Sequence, residues 1–332
     1  MLISFDSIKC QEKAKHLLGT AIRKNRTSHA YLFKGPAGVG KKMTAHGLAA
    51  LLNCQASQAM RVCGTCPSCK KFDSDNHPDF QLIKPQGAGI KIGQIRELQK
   101  NLAFSPFEAK TRVILLPDIH DTMRRPEVAN ALLKTLEEPP DDTMLILTGD
   151  EAGHILPTIL SRCQVIPFTP LLHEDVADLL EHASKQQAMT LAAIAEGSPG
   201  RASQQEQQGF LEIRKTNIET LTNTDKNSSQ LVSRVYTMAQ QGAELKDNAE
   251  ELLDLLTSWL RDLIVLKSKS PQTIHLINQD LHNLAETAEH WSTAALMQCF
   301  NAIATARQQL NRNCNRTLVF EVLFFALLDE KW

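Results

Sequence analysis

Apolar residues in the first half of the chain follow two patterns. Over residues 8–24 (IKCQEKAKHLLGTAIRK), Ile8, Ala14, Leu17, Leu18, Ala21 and Ile22 recur at helical spacing, which predicts an amphipathic helix. Short apolar runs punctuate the chain at 29–35 (HAYLFKG), 79–85 (DFQLIKP), 112–118 (RVILLPD), 143–149 (TMLILTG) and 163–168 (CQVIPF). A run that is apolar throughout suits a strand buried on both faces. Helices are predicted between them over 43–54, 91–104 and 126–140, the last stopped by Pro139 and Pro140. Strands alternating with helices as far as residue 168 predict a parallel α/β sheet.

After Pro170 the pattern changes. Residues 172–187 and 190–205 suit short helices in a small unit, and no convincing strand follows. Residues 249–268 place Leu252, Leu253, Leu256, Trp259, Leu260 and Leu263 on one helical face, and 293–313 and 317–330 continue the helical pattern. The polar stretch 222–230 (TNTDKNSSQ) is the expected loop between bundle helices. The expected fold class is therefore α/β followed by all-α. Its divisions are an α/β domain over 1–168, a small helical unit over 169–208 and a helical domain over 209–332. There is no internal repeat.

A net charge of -1 argues against DNA binding by bulk electrostatics, although a local basic patch can hide in the average. Aromatic residues are only 5% of the chain, which weakens any base-stacking reading. The start, MLISFDSIKC, has no basic region followed by an apolar core, and no apolar run reaches the length of a membrane span. A cytoplasmic protein without membrane contact is expected.

Four of the eight cysteines, Cys54, Cys63, Cys66 and Cys69, are spaced C-x8-C-x2-C-x2-C. Two-residue gaps bring neighbouring thiolates to one tetrahedral ion, and four cysteines close its shell, so a structural Zn2+ site is expected. Gly64, Pro67 and Ser68 supply turns between the ligands. The competing reading is four reduced thiols without metal. Cys10, Cys163, Cys299 and Cys314 have no such spacing and suit ordinary buried thiols.

GPAGVGKK (35–42) has the GxxxxGK form of a phosphate-binding loop: Gly35, Gly38, Gly40 and Lys41, set between a predicted strand and a predicted helix. The pattern continues with a hydroxyl residue that holds magnesium. Here that residue is Lys42, and Thr44 lies about 200° further around the helix. The strand that should carry a magnesium-positioning Asp and a water-activating Glu ends in Asp118 followed by Ile119, with Asp121 three positions on. Intrinsic ATP hydrolysis is not expected. Two readings of the loop stand together: passive binding of ATP or ADP, and a scaffold kept for its packing.

SHAYLFKGPAGVGKK, the four-cysteine insertion, HPDF (77–80), NALLKTLEEPP (130–140) and LPTILSRC (156–163) occur in this order. Together they closely resemble the delta-prime family of bacterial DNA polymerase III clamp-loader subunits. The likeness runs from about residue 5 to 206 and continues more weakly through RDLI (261–264) and NRNCNRTLVFEVLF (311–324). It implies an AAA+ domain, a helical lid and a helical collar. It also implies a hetero-pentameric ring with ATPase subunits and a delta subunit, which loads a sliding clamp onto primer-template DNA. In that family delta-prime is a stator that does not turn over ATP and gives an arginine to the neighbouring ATPase site. The resemblance places that arginine finger at Arg162 of Ser161-Arg162-Cys163, where an isolated arginine would otherwise suit a surface or lid salt bridge, and matches the zinc ligands to Cys54, Cys63, Cys66 and Cys69.

Arg201 in GSPGRA falls at a lid position that senses nucleotide in AAA+ proteins, with a structural role favoured here, and Thr148 falls at a polar sensor position. Leu132, Leu133 and Leu136 are expected to face the core, with Glu137 and Glu138 solvated. The chain is thus expected to serve a DNA-directed DNA polymerase (nucleotidyltransferase) holoenzyme without its own ATPase or polymerase activity. Two rivals remain. One is an active ATP-hydrolysing AAA+ motor, opposed by Lys42 and Ile119. The other is a zinc-dependent nucleic-acid-binding module, opposed by near-neutral charge and by Phe72 as the lone aromatic beside the cysteines, but kept open by Lys70 and Lys71.

Overall fold

The computed structural model describes residues 2–5, 8–56, 61–87, 89–123, 125–150, 155–207, 209–223, 231–245, 248–268, 276–278, 281 and 284–329. The chain divides into two compact units, Met1–Asp175 with Ser198–Gly200, and Val176–Gly197 with Arg201–Trp332. Through residue 167 the elements are α1 (Glu12–Arg23), β1 (Ala30–Lys34), α2 (Lys41–Asn53), α3 (Pro67–Asp73), β2 (Phe80–Leu82), α4 (Ile92–Leu102), β3 (Arg112–Leu116), α5 (Ile119–Thr122), α6 (Pro126–Glu137), β4 (Thr143–Gly149), α7 (Pro157–Leu160) and β5 (Gln164–Pro167). Helices follow: α8 (His173–Ala177), α9 (Lys185–Ile194), α10 (Pro199–Gln207), α11 (Phe210–Asn223), α12 (Leu231–Glu244), α13 (Ala249–Lys267), α14 (Leu284–His290), α15 (Thr293–Asn311) and α16 (Arg316–Asp329). The expected class, α/β and then all-α, is the one observed. The expected loop at 222–230 falls almost entirely on 224–230, outside the described residues.

The five strands pair in parallel in the order β2–β3–β4–β1–β5. Alternate side chains go to opposite faces, and both faces are covered. Tyr31, Phe33, Val113, Leu115, Met144 and Ile146 join one core, while Ala30, Leu32, Ile114, Leu116, Leu145 and Leu147 join the other. The second strand is shorter than its apolar run. Pro85 has no N–H for the ladder, and the chain turns where Gln86 N–H donates to the Gly89 carbonyl at 3.0 Å. The helix after the loop starts earlier than its apolar pattern. Gly40, at φ 98°, supplies the left-handed residue that lets α2 begin at Lys41.

Within HPDF, Asp79 is buried beneath the loop that leads from α4 to β3. Its carboxylate accepts the backbone N–H groups of Phe107, Glu108 and Ala109 at 2.7, 2.8 and 2.9 Å, with Arg112 Nε at 3.6 Å. Burial pushes its pKa up, but the three N–H donors and Arg112 outweigh burial and hold it below the usual carboxylate range.

The second unit packs around Trp259 and Trp291, whose rings meet edge to face at 5.7 Å. Beside them Asp262 is fully buried. It accepts the N–H groups of Ile277 and Asn278 at 2.8 and 2.7 Å and the Asn278 side chain at 2.9 Å. Asn278 in turn accepts from Arg214 at 3.0 Å. Every polar atom of such a network needs its partner.

Asp79→Asn is expected to lower stability by about 1–3 kcal/mol at neutral pH, measured by urea unfolding. Folding depresses this pKa, so the contribution is fully present above the unfolded value of about 3.9 and is lost as pH falls through the folded value. The gap between wild type and variant should therefore close in acid. A gap unchanged at low pH would show that the carboxylate charge is not what holds the loop.

Candidate functional site

The sheet brings three strand ends together. β4 lies between β1 and β3, so the loop after β1, Asp118 after β3 and Thr148 near the end of β4 converge at the carboxyl edge, where open α/β sheets build their sites. Gly35 passes so close to β5 that a Cβ there would lie 2.2 Å from the Phe168 carbonyl oxygen, which excludes any side chain. Lys41 is buried, and its ammonium donates to the carbonyls of Gly35 and, at 2.6 Å, Pro36. Burial lowers its pKa, against the pull of Asp118 and Asp150. The segment 198–200 closes on the same loop: Ser198 Oγ donates to the Ala37 carbonyl at 2.9 Å and Gly200 N–H to the Gly38 carbonyl at 3.0 Å.

Asp118 takes a left-handed conformation at the head of α5. Its N–H donates to Thr148 Oγ1 at 2.8 Å, and that hydroxyl donates to Asp118 Oδ1 at 3.2 Å. Lys42 Nζ lies 2.6 Å from Asp118 Oδ2. Ile119 turns away into the core between α4, α6 and the sheet. Asp121 pairs with His120 at 3.2 Å, and the residue directly after Asp118 is the aliphatic Ile119.

The four cysteines gather at the far end of α2. Cys54 caps that helix, and Cys66 caps α3, which starts with Pro67. All four Sγ atoms lie within 4.8 Å of one another, and Cys63 Sγ and Cys69 Sγ are 3.8 Å apart. A tetrahedral ion with metal–sulfur bonds of about 2.3 Å requires sulfur–sulfur edges of about 3.8 Å. Backbone N–H groups already face the sulfurs: Cys63 to Cys54 at 3.3 Å, Cys66 to Cys63 at 3.4 Å and Cys69 to Cys66 at 3.4 Å. N–H donors from Cys66 and Thr65 bring the Cys63 thiol down to about 5, whereas burial pushes Cys69 up. A cation between them would supply the charge that makes all four thiolates at once.

Arg162 follows α7. Its Nε donates to Glu137 Oε1 at 2.7 Å, its terminal nitrogen also contacts that oxygen, and Nη1 donates to the Thr158 carbonyl at 2.9 Å. Glu137 is thus not merely solvated; it is the anchor of Arg162. Leu132 and Leu136 face the core as expected, and Leu133 is partly buried against it. Arg201 is held on α13, by Glu251 at 3.0 Å and Asp254 at 2.6 Å, and Asp254 also takes Arg307 at 2.6 Å.

Two family models described as DNA polymerase III, delta subunit, and its C-terminal part match residues 10–172 and 208–328. The DNA polymerase III subunit delta' of Bacillus subtilis is 30% identical over 333 residues, covering 99% of this chain and 100% of that protein. The chain belongs to the DNA polymerase III delta-prime family. The delta' subunit of Pseudomonas aeruginosa is 35% identical over 58% of this chain and 60% of its own length. The tau subunit of Escherichia coli is 33% identical over 59% of this chain but only 31% of its own length. Family membership makes the chain a clamp-loader-related subunit of DNA polymerase III.

Sequence reasoning placed the loop, the Asp118 strand end and the cysteine cluster, and the fold assembles each of them. It missed the acidic partners of Arg162 and Arg201. Glu137 lies inside the NALLKTLEEPP segment, but its partner is 25 residues away. Glu251 and Asp254 lie 50 and 53 residues from Arg201, and no local period reports such pairs.

Metal analysis of the purified full chain should give about one tightly held ion per chain. Cys69→Ala should remove it and lower the melting temperature. A metal-free protein with an unchanged melting temperature would refute the site.

Proposed function

We propose that this chain is the delta-prime stator of a DNA polymerase III clamp loader. It binds no catalytic water of its own and supplies Arg162 to the ATP site of a neighbouring ATPase subunit. The observation that carries the reading is Ile119: the position beside Asp118 that should activate water is an aliphatic side chain sealed in the core. Hydrolysis depends on positioning metal and water, so a loop without either group is a scaffold or a passive ATP/ADP site.

Arg162 suits the role in trans. A guanidinium offers a rigid fork of donors to phosphoryl oxygens as charge builds in the transition state. Its side chain is 31% exposed, so a partner's phosphate can reach it, and Glu137 holds it ready until a stronger anion arrives. Other members of the ring are ATPase subunits related to tau and a delta subunit. Clamp and primer-template DNA are reached through the assembly. The cysteine cluster holds a structural Zn2+, matching its closed sulfur shell. A lid (169–208) and a collar (209–332) follow the α/β domain, and the place of work is the cytoplasm, as for a subunit of the replication machinery. Among the described residues no helix is long and apolar enough to cross a membrane.

The collar surface supports assembly. A helix that is apolar all round belongs in an interior. On α16, Phe320, Phe324 and Leu327 are buried, yet Leu318 and Val322 on the other face remain 57% and 56% exposed. On α12 Val232 and Tyr236 are also exposed, and Tyr236 meets Phe325 of α16 edge to face at 6.4 Å. This stripe suits packing against the collars of other subunits.

The isolated chain should show no ATP turnover above background. In the reconstituted loader, Arg162→Ala should slow hydrolysis at the adjoining site by about 10³-fold or more, leaving the total at what the remaining sites sustain. Unchanged ATPase would remove Arg162 from the mechanism. Turnover by the isolated chain that Lys41→Ala abolishes would establish the motor reading instead. Separately, Val322→Glu should leave the chain folded by circular dichroism but exclude it from the assembled ring in gel filtration. Normal assembly would show that α16 faces solvent throughout.

A further inference from the structure

A phosphate-binding loop that turns over nucleotide holds a divalent ion between the phosphates, a hydroxyl just after the loop lysine and a strand-end carboxylate. Magnesium demands nearly octahedral oxygen ligands at about 2.0–2.1 Å and keeps several waters. The residues here do not fit that ion. The hydroxyl position carries the Lys42 ammonium, 2.6 Å from Asp118 Oδ2. The other carboxylate oxygen accepts from Thr148 at 3.2 Å. The hydroxyl nearest in sequence, Thr44, is buried and turned inward, donating to the Gly40 carbonyl at 2.9 Å. A magnesium ion at Asp118 would have to displace a lysine that is part of the chain.

The geometry points to Lys42 as a resident cation that stands in for magnesium, so that this loop engages polyphosphate anions without a divalent metal. The inference rests on the reading of the loop as non-hydrolysing and says what replaced the metal. An ammonium has three donors. One is committed to Asp118, and the half-exposed side chain leaves the others for phosphate oxygens. The carboxylate needs a counter-charge at this place in either case. In a catalytic loop the ion supplies it only when nucleotide arrives; here the covalent cation supplies it always. A single positive charge cannot polarise a phosphoryl group as a divalent Lewis acid does. The exchange therefore keeps anion affinity and the Asp118–Thr148 geometry while giving up the metal's chemistry.

The test is titration of the full chain with a fluorescent ATP analogue, in magnesium-free buffer and again with magnesium. No chelator is added, so the cysteine site stays intact. Wild type is compared with Lys42→Thr, which restores the hydroxyl and frees Asp118. Circular dichroism and metal content confirm that the variant is folded. Wild type should change by less than about twofold on adding magnesium, whereas Lys42→Thr should gain about tenfold or more. Undetectable wild-type binding under both conditions overturns the proposal, because the loop then engages no polyphosphate anion. Wild-type affinity that climbs tenfold with magnesium overturns it. So does a Lys42→Thr chain indifferent to magnesium, whether or not it binds. ATP hydrolysis by wild type would sink the non-hydrolysing reading itself. An inert wild type with magnesium-dependent binding would sink only this inference.

Discussion

The arrangement of the first unit depends on β4. Every residue of this strand is buried, and it pairs with β1 on one side and β3 on the other, in registers that set Lys34 opposite Gly149 and Leu116 opposite Leu147. These two pairings bring the phosphate loop and Asp118 within reach of one another, though 77 residues separate Lys41 from Asp118 in the numbering of the chain. Thr148 then bonds the Asp118 backbone and side chain from the strand between them. The constraint is a packing one. Alternate residues of β4 enter different cores, so a shift by one residue would bury each side chain on the wrong face.

The same constraint explains how a loop of this shape stands without a nucleotide. Gly35 is fixed by the Phe168 carbonyl, Gly40 by the left-handed start of α2, and Lys41 by the carbonyls of its own loop. None of these contacts needs a nucleotide. Lys41 turned onto loop carbonyls and Lys42 bonded to Asp118 give both ammonium groups and the carboxylate a partner within the protein, with Lys42 still half-exposed. The loop is therefore held in place by the same packing that holds the sheet. Its persistence in the sequence says little about turnover, whereas the identities of Lys42 and Ile119 say a great deal.

That difference sets what was legible in advance. Strands were legible because burial on both faces writes itself as an unbroken apolar run, as in 112–118 and 143–149. The cysteine cluster was legible because three of its four residues are close in the chain, and a turn of two residues has few geometries. The short helix α3 was not foreseen. Its apolar content is one phenylalanine, and it exists because Pro67 starts it and the Cys66 sulfur accepts the Cys69 N–H. Arg162 was singled out by its neighbours in LSRC, but its anchor Glu137 was read as solvated. A half-exposed glutamate at a helix end looks the same in sequence whether or not an arginine folds back onto it.

The second unit shows the opposite balance between local pattern and tertiary cause. Its helices are plain in the sequence, yet periodicity alone cannot choose among the ways such helices pack. Asp262 narrows the choice. It is fully buried and satisfied by backbone N–H groups of residues 277 and 278 and by the Asn278 side chain. The arrangement that brings this short segment to α13 supplies these three hydrogen bonds to a carboxylate whose other oxygen accepts from the neighbouring Arg261 at 2.8 Å, and losing them would leave a buried charge poorly satisfied. The apolar face of α16 leaves the remaining choice open within one chain. Its inner side is bound by the core around Trp259, and its outer side repeats apolar residues at Leu318, Val322 and Phe325. A chain that needed this helix only for its own core would need no apolar residues on the outer side. Their presence is what favours the proposed packing of this face against the collars of other subunits.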